Sequence, residues 1–278
     1  MRKLRGKTML TAILLTLATA VALWLGFLWA FQTFGIYRFD TTPATPAALG
    51  LPQVRVVHFL SADGVQVSAW VTPPRDDLPV LISFFGGFTS VGASAPRLRP
   101  LLDQGFGLAM LVYRGSSGAA GTPSEAAFTQ DALALYDQLD TLLQQPIPAA
   151  RRVLHGCSLG SSIAAGLAAA RPAAGLVLEA TFDRCTRWYA QRLFGLPMNA
   201  WMWRERHDVI DKLRGVATPK LFLHGARDDA IPIAWAKTLY EAAVGEKRFV
   251  TYPQGGHADL AEHGALADIA AFLRALPR

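Results

Sequence analysis

The stretch "RRVLHGCSLGSSIAAGLAAA", residues 151–170, sets an apolar run against an Ala-rich one across Gly156-Cys157-Ser158-Leu159-Gly160. The first run predicts a strand and the second a helix, so Ser158 stands at a strand-to-helix turn. The pattern G-x-S-x-G is short and, taken alone, fits any glycine-rich loop. At such a turn the flanking glycines acquire a purpose, because a sharp turn around a strained residue leaves no room for Cβ atoms on either side. The turn lifts the Ser158 hydroxyl above the C-terminal edge of a sheet, at the N-terminus of the helix beginning at Leu159.

Short β-branched or aromatic runs recur on both sides of this turn. Strands are predicted at 54–60, 65–71, 79–85, 107–113, 152–157, 175–180, 220–225 and 247–252. The first two are joined by Ser61-Ala-Asp-Gly64, a hairpin signal. The later ones are continuous apolar runs, as expected of a parallel sheet covered on both faces. Helical patterns lie between them, at 124–144 and from near Leu159, Ile233 and Asp259. This alternation predicts a doubly wound α/β domain over residues 53–278. One connection is too long for a simple loop. Residues 182–218 carry Trp188, Tyr189, Phe194, Trp201 and Trp203 and predict a small helical lid after strand six, which either packs on itself or shapes an apolar pocket.

A serine hydroxyl needs a base, and the base needs a third group to hold its tautomer. Leu221-Phe-Leu-His-Gly-Ala-Arg-Asp228 supplies a carboxylate just past the seventh strand, with Asp229 as a neighbour one residue too far. Tyr252-Pro-Gln-Gly-Gly-His257 supplies a histidine in a glycine-rich loop after the eighth. Ser158, Asp228 and His257 are therefore the candidate nucleophile, orienting acid and base. His263 reads as part of a solvated helical face, and His58, His155, His207 and His224 as strand or lid residues. Ser161 and Ser162 read as satisfying first-turn amides. Acyl transfer also needs donors for an oxyanion. The backbone N–H groups of Leu159 and of Gly87, in the "FFGGFTSVG" loop after the third strand, are the candidates.

These stretches resemble a known group, the small α/β-hydrolases of the serine aminopeptidase-like type, which are frequently anchored to membranes at the N-terminus. Members carry FHGN, DYRG with GxPSE, GxSxG, HGxxD and GGH. Here the counterparts are "FFGG" (84–87), "VYRGSSGAAGTPSE" (112–125), "GCSLG" (156–160), "HGARD" (224–228) and "GGH" (255–257). Phe85 stands where the family has His, and Val112 where it has Asp. The resemblance implies an α/β-hydrolase fold with an eight-stranded, mostly parallel sheet, and hydrolysis of an ester, thioester or amide without metal or cofactor. Esters or acyl thioesters are the expected substrates. A peptidase would need charged groups for a peptide terminus, and a binding protein without activity is at odds with an intact triad.

Before the first strand lies "TMLTAILLTLATAVALWLGFLWAFQTFGIY", with no charge between Lys7 and Arg38. This exceeds the roughly 20 apolar residues that cross a bilayer. Ala18-Thr19-Ala20 could end a signal peptide, but the apolar run continues well beyond it, which favours an uncleaved anchor within residues 1–37. Arg2, Lys3, Arg5 and Lys7 before the span predict a cytoplasmic N-terminus and an extracytoplasmic catalytic domain. Residues 38–52, rich in Pro, Thr and Ala, read as a tether. Setting those four cations aside leaves 23 basic against 21 acidic residues, so the charge reflects topology rather than a nucleic-acid surface. The expected partners are the membrane and a small, apolar acyl substrate. Cys157 and Cys185 read as two buried thiols, with a bridge the lesser alternative.

Overall fold

Each predicted apolar run forms a strand: β1 (Arg55–Leu60), β2 (Gln66–Thr72), β3 (Val80–Phe84), β4 (Gly107–Val112), β5 (Arg152–Cys157), β6 (Gly175–Glu179), β7 (Lys220–Gly225) and β8 (Lys247–Tyr252). The computed structural model describes residues 2–277; the side chains of residues 2–6, 8, 33 and 34 lie outside the description. Arg2, Lys3 and Arg5, on which the predicted orientation in the membrane rests, are among these. The strands make one sheet in the order β1-β2-β4-β3-β5-β6-β7-β8. Only β2 runs antiparallel to its neighbours. Every residue of β3, β4, β6 and β7 is buried, which is why those runs are mostly apolar rather than alternating; the polar exceptions are Ser83, Glu179, Lys220 and His224.

The helices in chain order are α1 (Arg2–Ala30), α2 (Val91–Ser94), α3 (Arg99–Asp103), α4 (Glu125–Asp137), α5 (Leu139–Leu143), α6 (Gly160–Ala170), α7 (Cys185–Arg192), α8 (Met198–Trp201), α9 (Val209–Lys212), α10 (Ile233–Ala242) and α11 (Ala265–Ala275), and those after α1 surround the sheet. The helix expected over 124–144 is thus two, interrupted at Gln138, whose amide reaches the Leu60 carbonyl oxygen (3.0 Å). Strand order turns back between β4 and β5, with β3 between them. Pairing of Phe84 with Gly156 sets the loop after β3 beside the turn after β5, at the sheet edge where open α/β folds bind ligands.

The N-terminal region departs from the expectation of an anchor on a loose tether. Within α1, Met9–Ala30 is long and apolar enough to cross a membrane. Residues 38–52 do not hang free, however. Phe39 packs on the rings of Phe85, Tyr113 and Phe128, and Leu51 is fully buried. The Ser117 N–H donates to the Asp40 carbonyl oxygen (2.9 Å). Leu51, fully buried, and Phe39, partly buried, both remove apolar surface from water and so favour this packing. Residues 39–51 are thus packed on the sheet rather than free of it. The two cysteines are free thiols.

Candidate active site

The turn after β5 has the strain its sequence implies. Ser158 has φ +52°, a left-handed conformation that is costly for a residue with a Cβ. A Cβ at Gly156 would lie 2.5 Å from the Gly160 carbonyl oxygen, and one at Gly160 would lie 2.0 Å from the Phe84 carbonyl oxygen. Both glycines are there because the strand, the turn and the helix approach more closely than a methyl group allows.

Ser158 Oγ lies 3.1 Å from His257 Nε2, and His257 Nδ1 lies 2.8 Å from Asp228 Oδ2. The carboxylate fixes the tautomer: Nδ1–H donates to Asp228, leaving Nε2 to accept from the hydroxyl. Asp228 is itself held. Its Oδ1 accepts from the N–H groups of Ala230 (3.0 Å) and Ile231 (2.7 Å), and its side chain is fully buried. His224, read from sequence as an ordinary strand end, lies 3.3 Å from the same Oδ2 and donates to the Ile231 carbonyl oxygen (2.9 Å). Asp229 makes no described contact with His257. The three residues singled out by sequence thus converge, although they come from the ends of β5, β7 and β8.

Gly87 lies against Leu159, a Cβ on it coming 3.2 Å from the leucine side chain. Among the described hydrogen bonds, neither the Gly87 nor the Leu159 N–H donates to a protein acceptor. Phe85, which replaces the family histidine, is buried on the Tyr113 ring (centroids 4.1 Å apart). Its carbonyl oxygen accepts from the Tyr113 hydroxyl (2.9 Å), which braces the loop from below. Val112, in place of the family aspartate, is buried at the pairing of β4 with Ser68.

Two cavities meet at this point and share Gly87, Phe88, Ser158 and His257. The larger, about 350 Å³, has a polar floor. Arg97 donates to Glu179 (2.9 Å), His155 Nε2 lies 3.3 Å from the same carboxylate, and Ser83 bonds His155 Nδ1 (2.9 Å). Burial opposes ionisation of Glu179, but His155 and Arg97 hold its carboxyl below the usual range. Cys157 shares this floor. Burial, reinforced by Glu179, pushes its thiol up to about 12, so it is no rival nucleophile at neutral pH. The smaller cavity, about 100 Å³, is lined by Ile36, Leu159, Phe182, Cys185, Trp188, Tyr189 and Ile231 and is apolar.

A buried polar chain that sequence reasoning missed lies beneath the lid. Lys212 donates to Ser162 Oγ (2.7 Å), which lies 3.1 Å from His207 Nδ1, and His207 Nε2 lies 2.7 Å from the Tyr37 hydroxyl. The Tyr37 hydroxyl in turn bonds Glu205, which also accepts the Glu125 N–H (2.6 Å). Lys212 pairs with the Glu125 carboxylate (2.6 Å). Burial opposes ionisation of Glu125, yet His207 and Lys212 hold its carboxyl below the ordinary range. Ser162 therefore serves this network, and Ser161 bonds the Gly156 carbonyl oxygen (3.2 Å), so neither satisfies the first-turn amides as expected. The available signals were Glu125 in the "GTPSE" run and three ionisable residues, Glu205, His207 and Lys212, inside an aromatic lid.

No family model matches the chain. The fold is shared with the Pyrococcus furiosus esterase Pf2001, at a TM-score of 0.68 and 16% identity over 87% of this chain and 99% of that one. In sequence it is 30% identical over 235 residues to the uncharacterized protein Rv2307c of Mycobacterium tuberculosis, covering 84% of this chain and 83% of that protein. It is 22% identical over 240 residues to the lysophosphatidylserine lipase ABHD12 of Danio rerio, covering 73% and 62%. The chain has the α/β-hydrolase fold. On this fold it carries a Ser, an Asp and a His in the chain order and at the strand ends that α/β hydrolases use for acyl transfer.

Proposed function

We propose that this α/β hydrolase is a membrane-anchored serine hydrolase that cleaves carboxylic esters or acyl thioesters through an acyl-enzyme intermediate. The observation that carries this reading is the Ser158–His257–Asp228 hydrogen-bond chain opening on a cavity beside two undirected N–H groups. Ser158 Oγ attacks the substrate carbonyl carbon while His257 Nε2 takes its proton. The oxyanion accepts from the Gly87 and Leu159 N–H groups, which are backbone donors that no protein acceptor occupies among the described hydrogen bonds. His257 then protonates the leaving oxygen or sulfur as its bond to the acyl carbon breaks. Water, deprotonated by the same imidazole, releases the acid and restores Ser158. Asp228 holds the tautomer and stabilises the imidazolium.

The two cavities suit a substrate with unlike ends: an acyl chain on the apolar side, a polar leaving group over the Arg97–Glu179 floor. The Danio rerio relative, a lipase by name, supports an ester with an acyl chain, and Met9–Ala30 supports placement at a membrane with the N-terminus cytoplasmic and the catalytic domain outside. The test is competition: full-length protein in detergent, labelled with a fluorophosphonate against graded acyl esters, acyl thioesters and peptide amides. Protection by esters or thioesters, with hydrolysis of the protecting compound, is expected. Protection by peptide amides alone contradicts the substrate assignment.

A further inference from the structure

The foot of α1 is built into the catalytic domain by contacts that a passive anchor does not need. Gln32, buried in the π-helical turn Phe31–Gly35 that follows α1, accepts from the Trp203 (3.0 Å) and Arg204 (3.1 Å) N–H groups of the lid. Its amide nitrogen lies 3.5 Å from the Trp201 carbonyl oxygen. Trp24 meets the Trp201 ring edge-on (5.4 Å), and Phe31 meets Tyr189 (5.6 Å). Five residues after Gln32, Tyr37 enters the buried chain through Glu205 and His207. These two attachments bracket Ile36, which is buried and lines the small apolar cavity together with Ser158 and His257.

The same contacts set the depth of the lid. The 22 residues of Met9–Ala30 rise roughly 33 Å at 1.5 Å each, about the thickness of the hydrocarbon layer. Trp24 lies six residues before the end of that span, roughly 9 Å inside it, and it is the residue that Trp201 of α8 touches. With Met9–Ala30 across a bilayer, the lid side next to α1 would sit within the membrane boundary. Phe194 and Trp203 of the lid, and Phe88 over the cavity mouth, are exposed, which water disfavours and lipid does not.

We propose that the juxtamembrane segment is a wall of the acyl-binding site, with Ile36 setting the acyl length that the site accepts and the acyl chain entering from the bilayer between α1 and the lid. The inference deepens the serine-hydrolase reading and rests on it. At about 100 Å³ the cavity accommodates only a short stretch of chain beyond the carbonyl. Longer acyl groups must run past the Ile36 side chain, which lines this cavity together with Trp188 and Tyr189. The side chain at position 36 is then a gate, and its size translates into chain-length preference.

The experiment uses the full chain in detergent, as wild type, Ile36→Ala and Ile36→Trp. A small ethyl fluorophosphonate counts competent Ser158 sites in each, and kcat/KM per competent site is measured for p-nitrophenyl acetate, butyrate, octanoate and palmitate. Ile36→Trp is expected to lower the octanoate-to-acetate ratio at least about tenfold, the discrimination that a methylene-sized change in an apolar pocket gives. Ile36→Ala is expected to move the optimum toward longer chains, which keeps the proposal testable if the tryptophan variant does not fold. An unchanged profile in both variants, or in Ile36→Ala alone when the other is unfolded, overturns it. Absence of labelling in the wild type overturns the serine-hydrolase reading instead.

Discussion

Ser158 is held in a conformation that costs free energy, and the surrounding glycines make that conformation reachable. Gly160→Ala is expected to unfold or displace the turn, because its Cβ would fall 2.0 Å from the Phe84 carbonyl oxygen, a backbone atom that cannot swing aside. A melting curve checks this, and a variant as stable as the parent contradicts the packing described. His257→Ala is expected to lower kcat by at least about 10³-fold, and Asp228→Asn by a comparable or larger factor through the wrong tautomer. Both should keep the parent melting temperature within a few degrees in the detergent used, since His257 is only partly buried and Asn preserves the shape at 228. The three candidate residues could be picked out because each follows a strand end and a glycine: Gly156, Gly225 and the pair Gly255-Gly256. His224 and Tyr113, which brace Asp228 and the Phe85 carbonyl, were not. Their side chains act across strands, and spacing along the chain carries no record of that.

Among the elements, the lid and the foot of α1 were the least legible. The aromatic content of residues 182–218 marks a packed excursion, but its partner lies some 170 positions away, where Tyr37 and Gln32 sit in a run that reads as membrane or tether. The buried chain gives this junction a pH dependence. Burial pushes His207 down to about 4 from its ordinary 6.5. Between those values the unfolded chain binds a proton that the native state excludes. The stability contribution is therefore complete above about pH 6.5 and is lost as the pH falls toward 4, by up to about 3 kcal/mol. Glu205, whose carboxyl burial raises, acts in the opposite sense: its share is present below about 4.5 and is lost as the pH rises. Glu125, held low, loses its share only below about 4.5. His207→Gln, which can still bond Tyr37 or Ser162, is expected to flatten the dependence of the denaturation midpoint between pH 6.5 and 4.5. Equal slopes for wild type and variant would remove His207 from this role.

For the whole molecule, the strands and the covered sheet follow from apolar runs that the sequence shows plainly, whereas their order in the sheet and the contacts that join the body to its apolar N-terminal helix are not legible in composition. The proposed topology predicts that a reporter fused to the C-terminus is active only outside the cytoplasm and that alkaline extraction leaves the chain in the membrane. A mature N-terminus at Val21, with release into the supernatant, would identify a signal peptide. The central claim is that Ser158 is the nucleophile of an acyl-transfer site, and peptide mapping after fluorophosphonate treatment of the intact protein tests it most directly. A single adduct on the peptide containing Ser158, absent from Ser158→Ala, is predicted; an adduct of full strength in Ser158→Ala would contradict it.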